Sequence, residues 1–242
     1  MSKFKYFIYL VIIAASSTSA QIMDKDLVDK NILVVYGGWE GHKPKLFAEK
    51  ISSWLKEKKA NVYVSDTTSI YDNTKLMKKL DLIIQHITMS EISENQIKNL
   101  TKTIKNGAGL AGCHGGLGDS FRNDVDFQYM VGGQFVKHTG DNTNYIVNIS
   151  TKKDPITKDI DDFNLTSEQY YMHIDPALEV LATTKFTGKH DPWIKGVVIP
   201  VVWKKYYGKG RVFYNSIGHS IENFDIPEVW EMTKRGIIWA CK

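Results

Sequence analysis

Four short apolar runs recur between residues 31 and 113, and amphipathic stretches separate them. The runs are "NILVVYGG" (31–38), "NVYVSD" (61–66), "LDLIIQH" (80–86) and "AGLAGC" (108–113). The first, closed by two glycines, is the pattern of a strand buried on both faces, and the other three read as strands. Between the first two lies "HKPKLFAEKISSWLKEKKA", with Phe47, Ile51, Trp54 and Leu55 on one helical face and lysines opposite. A short helical stretch is expected around Asn73–Lys79. "SENQIKNLTKTIKNGAG" opens with Ser93 and Gln96 at capping-box spacing, carries Ile97, Leu100 and Ile104 in one row, and stops at Gly107. Strands alternating with such helices predict βαβ units, a parallel sheet and helices on both faces. Ligands then bind beyond the carboxyl ends of the strands.

From about Asn142 the pattern turns β-rich, in "TNYIVNIS", "SEQYYMH", "LEVLATT" and "VVIPVVWKKYYGKGRVFYNSIGH". Tyr207-Gly208-Lys209-Gly210 marks a hairpin turn, and "IPEVWEMTKRGIIWACK" is a closing amphipathic helix. No internal repeat or low-complexity linker interrupts the chain, so a single domain over 21–242 is expected, with the later strands extending or flanking the parallel sheet.

Residues 1–20, "MSKFKYFIYLVIIAASSTSA", have Lys3 and Lys5 before an apolar run from Phe7 to Ala15 and small residues at Thr18-Ser19-Ala20. This is the pattern of a secretory signal peptide, with an apolar core too short for a membrane span. The expectation is an exported, periplasmic protein that leaves the membrane after cleavage. Lys+Arg total 31 against Asp+Glu 27. Such a balance makes no electrostatic case for nucleic acid or a membrane surface. Cys113 and Cys241 are the only cysteines, too few for a cysteine-rich metal site.

Chemistry-bearing residues gather at the expected strand ends. Gly38, Trp39 and His42 follow the first run, and Cys113-His114 end the fourth inside "GAGLAGCHGG". A strand-to-helix elbow strains its central residue and needs small neighbours two positions away on either side. Those neighbours are Gly112 and Gly116 for His114, and Ala111 and Gly115 for Cys113. Local sterics do not choose between the two.

"GAGLAGCHGG…DSFRN…YMVGGQFVKH", "DPITKDIDDF…SEQYYMHIDPALEVLATT" and "PVVWKKYYGKGRVFYNSIGHSIENF" together resemble the ThuA-like (trehalose utilisation) family, from Asn31 to Ala240. The resemblance implies a flavodoxin-like, class I glutamine amidotransferase-like α/β three-layer sandwich. Its central sheet is mainly parallel, with β-rich additions in the C-terminal half. It also implies a link to sugar catabolism. Laid on the Gly-x-Cys-x-Gly elbow of amidotransferases, the elbow centre falls on His114, with Cys113 packed beneath it. A thiolate would then be missing from the working position. "GHSIE" resembles the amidotransferase His–Glu element and brings His219 and Glu222 near the elbow.

The resemblance carries a concrete expectation: an enzyme acting on oxidised (3-keto) glycosides or disaccharides by isomerisation, elimination or hydrolysis. His114 and His219 share the proton transfers and Glu222 orients His219. Gly38, Trp39, His42, Asp119, Arg122, His138, Tyr170 and His173 are the expected substrate-binding residues, with a small-molecule sugar as partner. Convergent imidazoles also suit a divalent metal, zinc or manganese, on His42, His114 and His138. The competing readings are a non-catalytic sugar-binding protein and a hydrolase that uses Cys113. Self-association as a homo-oligomer is compatible with all three.

Overall fold

The computed structural model describes residues 27–242; the signal-peptide expectation lies outside the described residues. Nine strands form one sheet in the order β2-β1-β3-β4-β9-β8-β7-β5-β6. The strands are β1 (Asn31–Gly38), β2 (Asn61–Ser65), β3 (Leu82–Thr88), β4 (Gly109–Cys113), β5 (Gly133–Ile149), β6 (Phe163–Ile174), β7 (Glu179–Lys185), β8 (Val198–Tyr207) and β9 (Gly210–Asn215). The helices are α1 (Pro44–Glu57), α2 (Thr74–Met77), α3 (Glu94–Lys105), α4 (Gly115–Gly118), α5 (Val125–Val131) and α6 (Pro227–Ala240).

Side-chain alternation along the strands divides the core in two. Ile32 and Val34 of β1, Leu82 and Ile84 of β3, Ala111 and Cys113 of β4, and Phe213 of β9 pack with α1 and α6. Leu33, Val35, Ile83, Leu110, Val212 and Tyr214 point the other way, toward Met77 of α2, Ile97, Leu100 and Ile104 of α3 and Phe127 and Met130 of α5. Both faces of β1, β3 and β4 are therefore dry, which is why these strands read as apolar runs, whereas the edge strand β2 is largely exposed. Helix α1 starts at Pro44, where a missing N–H costs nothing, and buries Phe47, Ile51, Trp54 and Leu55. The reciprocal capping box of Ser93 and Gln96 starts α3.

The expected sheet was mainly parallel; the observed one is evenly mixed. Pairs β1–β2, β1–β3, β3–β4 and β4–β9 are parallel. Pairs β5–β6, β5–β7, β7–β8 and β8–β9 are antiparallel. The reason lies in connection length: β8 and β9 are joined by the two residues Gly208-Lys209, which permit only a hairpin. The β5–β6 hairpin meets the main sheet only where Asn148 and Ile149 pair with Thr183 and Ala182 of β7. Its remaining length lays β6 residues Glu168 and Tyr170 against the carboxyl edge of the parallel strands.

Candidate functional site

Three imidazoles follow three strand ends of the parallel half. His42 closes a single helical turn after β1, His114 follows β4 directly, and His219 follows β9 by four residues. Their ring centroids stand 4.6 Å (His42–His114), 5.4 Å (His42–His219) and 5.6 Å (His114–His219) apart.

His114 occupies the elbow apex with φ 50° and ψ −142°. A non-glycine residue there costs about 1–3 kcal/mol and persists only when its surroundings enforce it. Here they do. Its N–H donates to Asn215 O at 2.7 Å, and its carbonyl accepts from the Tyr214 hydroxyl at 3.0 Å. Its ring stacks on Tyr170 at 4.0 Å. Small neighbours are required on each side: a Cβ at Gly112 would meet Gln85 O at 2.6 Å, and one at Gly116 would collide with the His86 ring. Beneath the turn, the Tyr71 hydroxyl donates to Gln85 Oε1 (2.7 Å), Gln85 Nε2 to Ser120 Oγ (2.9 Å), and Ser120 Oγ to Gly116 O (3.0 Å).

Cys113 faces the other way, into the α1/α6 core, 2% exposed. Burial pushes its thiol up to about 12, against a lowering hydrogen bond with Thr233. A thiol so placed is neither ionised nor reachable. No disulfide joins it to the equally buried Cys241.

One residue at the centre escaped the sequence reading: Glu168. Its Oε2 lies 3.1 Å from His114 Nε2 and 3.2 Å from His219 Nδ1, and its Oε1 lies 3.4 Å from His138 Nε2. Burial works against its ionisation, but the hydrogen bond with His114 and the close approach of His219 outweigh that and hold its carboxyl far below the usual range. The available signal was a carboxylate inside the buried run Ser167–Tyr170, two residues from Tyr170 and so on the same face. His114 Nδ1 donates to Ser216 O at 2.8 Å, and His42 Nδ1 and Thr88 Oγ1 share a hydrogen bond of 2.9 Å. Burial first, then the neighbouring imidazoles, lower His42 to about 2; burial also lowers His114.

The other expected site residues divide. His138 sits between two bulges of β5, is one-third exposed, and faces Glu168. Trp39 sets its ring edge against His42 at 4.6 Å and is 45% exposed. Gly38 allows the chain to pass β3: at φ 77° any Cβ would run into the Thr88 carbonyl. Asp119 is buried and paired with Arg122, whose Nε and Nη2 donate to its two oxygens at 2.5 and 2.7 Å. Two donors of Arg122 are thus held by Asp119, while its side chain stays half exposed.

Two expectations fail on geometry. Glu222 is exposed, and its carboxylate faces its own backbone amide and Ser220, so it does not orient His219. His173 is exposed across from Gln134, on the opposite face of β6 from Glu168 and Tyr170.

His42, His114, His219 and Glu168 each offer one ligand atom, and these four atoms lie within 4.8 Å of one another. The expected metal set had His138 in place of His219 and Glu168; His138 instead stands behind the carboxylate. A cleft of about 810 Å³ beside Gln169, Lys185 and His190 lies on the far side of β6, and none of the four lines it.

A family model described as "ThuA: Trehalose utilisation" matches residues 31–240. Among solved structures, a ThuA-like protein from Bacteroides uniformis ATCC 8492 superposes with a TM-score of 0.73 at 19% identity, covering 89% of this chain and 93% of that one. One from Parabacteroides merdae ATCC 43184 gives 0.68 at 15% identity, covering 88% and 90%. A cytoplasmic protein from Salmonella typhimurium LT2 gives 0.62 at 12% identity, covering 88% and 100%. No curated protein matches the sequence. At these identities the superpositions speak for the fold alone.

Proposed function

The chain belongs to the ThuA (trehalose utilisation) family, and from that premise we propose an enzyme acting on oxidised, 3-keto glycosides or disaccharides. The carrying observation is the convergence of His42, His114, His219 and Glu168 at the carboxyl edge of the parallel strands. We read the parallel half as the flavodoxin-like, amidotransferase-like layer arrangement, with His114 at the elbow where that chemistry would need a thiolate.

A ketone at C3 of a sugar acidifies the C2 proton. A base takes that proton, and the C–H electron pair moves onto the carbonyl to give an enolate. Reprotonation then isomerises the sugar, or collapse of the enolate expels the C1 substituent. The enolate oxygen needs preorganised positive charge or donors. His114 is fully buried, fixed through Nδ1 on Ser216 O and with Nε2 facing Glu168, so it serves as an anchor rather than a proton carrier. His138 and His219, 33% and 22% exposed and both facing Glu168, are the imidazoles within substrate reach. Trp39, exposed at the rim, supplies an apolar face for the sugar ring.

The test is proton NMR in heavy water with a 3-keto glycoside. Exchange at C2, or conversion of the sugar, is expected, with the unoxidised parent glycoside left unchanged. Tight calorimetric binding without either change would identify a sugar-binding protein instead.

The charged start and apolar run of residues 1–20 support export. Among the described residues no helix is long and apolar enough to cross a membrane. Fractionation of expressing cells tests this part: a product retained in the cytoplasm at full length overturns it.

A further inference from the structure

We propose that His42, His114, His219 and Glu168 form the binding site of one divalent transition-metal ion, of the zinc type. The inference stands on the geometry of these four residues and does not depend on the identity of the substrate.

His114 commits its Nδ1–H to the Ser216 carbonyl. A neutral His114 therefore turns the lone pair of Nε2 toward Glu168 Oε2, 3.1 Å away. A lone pair and a carboxylate oxygen at that separation, with His42 and His219 beside them, can be bridged by one cation. His219 Nδ1 adds a third such atom, 3.2 Å from the same oxygen but without hydrogen-bond alignment. His114 Nε2 and His219 Nδ1 thus converge on one carboxylate oxygen, and His42 brings a fourth donor atom within 4.8 Å of them.

Two of the separations match those around a bound ion. Two ligands of a tetrahedral zinc bound at about 2.0–2.1 Å stand roughly 3.3–3.4 Å apart. The contacts to Glu168 Oε2, at 3.1 and 3.2 Å, fall next to that value.

Outer partners complete the arrangement. Metal-binding imidazoles hold their second nitrogen on a carbonyl, hydroxyl or carboxylate, which sets tautomer and ring orientation. Ser216 O does this for His114 and Thr88 Oγ1 for His42, while His138 faces the second oxygen of Glu168. Three imidazoles with one carboxylate select first-row transition ions over calcium or magnesium, which prefer all-oxygen sets. The nearby thiol takes no part, because Cys113 points into the α1/α6 core.

A bound ion would supply Lewis acidity to an oxygen arriving from the partly exposed His219 side. With His219 engaged, His138 is the imidazole left to move a proton; this consequence alone rests on the oxidised-glycoside reading.

The experiment is calorimetric titration of chelator-treated, tag-free protein with zinc chloride. One ion per chain is expected, with Kd below about 1 µM. Glu168→Gln and His219→Ala weaken it by at least about 100-fold, His138→Ala by about 10–100-fold, and His173→Ala not at all. Zinc binding that is absent at millimolar concentration, or equally tight in Glu168→Gln and His219→Ala, overturns the site. Should those variants lose their circular dichroism, X-ray absorption of the zinc-loaded wild type decides. An imidazole-rich N/O shell supports the site, and a thiolate or all-oxygen shell overturns it. Zinc binding without C2 exchange would remove the sugar reading and leave the metal centre standing.

Discussion

Glu168 and His114 are 54 residues apart in the chain, yet Oε2 of one lies 3.1 Å from Nε2 of the other at the carboxyl edge of the parallel strands. The contact exists because the β5–β6 hairpin leaves the plane of the main sheet after its short pairing with β7. A side chain from the β-rich half thereby closes a site whose imidazoles come from β1, β4 and β9. The two halves of the chain share one centre.

The two histidines of "GGQFVKH" and "EQYYMH" should behave differently. His138 faces Glu168, whereas His173 lies on the opposite face of β6. His138→Ala should reduce turnover of a 3-keto glycoside by about 10²–10⁴-fold, the usual worth of a general acid–base group. His173→Ala should change it less than about twofold, since surface substitutions away from such features are nearly neutral. Steady-state kinetics of both variants decide; equal losses would undo the assignment of faces.

Thiol chemistry should be irrelevant to activity. Cys113 is buried among apolar residues with its pKa pushed up to about 12. Cys113→Ala should retain activity, and a disulfide reagent should label neither cysteine until denaturant is added. Fast labelling of the native protein together with inactivation would revive the amidotransferase-type reading.

Packing around the elbow leaves no room for a methyl group at residue 112. A Cβ there would stand 2.6 Å from a backbone carbonyl and 2.7 Å from Leu117 Cβ. Gly112→Ala should destabilise the protein by about 1–3 kcal/mol, the range for overpacking a filled interior. Urea unfolding measures it, and an unchanged midpoint would mean that the β4–α4 turn yields.

Acid should destabilise the metal-free protein through His86. Its ring is fully buried, stacked on Phe47 at 4.2 Å, with no close hydrogen-bond partner for either nitrogen. Burial, then the charge of His114, lower it from 6.5 to about 3. As pH falls through 6.5 the unfolded chain takes up a proton that folded His86 refuses until about pH 3. The unfolded state binds more protons throughout that window, so stability falls with falling pH. His42, lowered to about 2, acts in the same direction. His86→Phe should flatten the pH dependence of the urea midpoint between about pH 6 and 4; an unaltered slope would place the proton uptake elsewhere.

Much of the frame was legible before any coordinates. β1, β3 and β4 were visible because strands buried on both faces are apolar at most positions. The Ser93–Gln96 capping box announced α3 in its own four residues. Glycines at 112 and 116 pointed to a tight elbow, and the family resemblance centred it on His114. The evenly mixed sheet was harder to see, because strand order is set by which edges meet. Glu222 misled for a related reason. It follows His219 by three residues, but the intervening turn carries its carboxylate out to solvent.

By itself the sequence determined which segments are strands and helices, where the chain bends sharply, and which imidazoles emerge at strand ends. Those are local properties, written in the periodicity of apolar residues and the small size of glycine. Only the tertiary structure decided that Glu168, rather than Glu222, is the carboxylate those imidazoles share, and that the thiol of Cys113 is sealed into the core. Both outcomes depend on how a long hairpin curls over the sheet and on which face of β4 each side chain takes. Such choices minimise exposed apolar surface and buried unpaired charge across the whole molecule, and no short window of residues contains them.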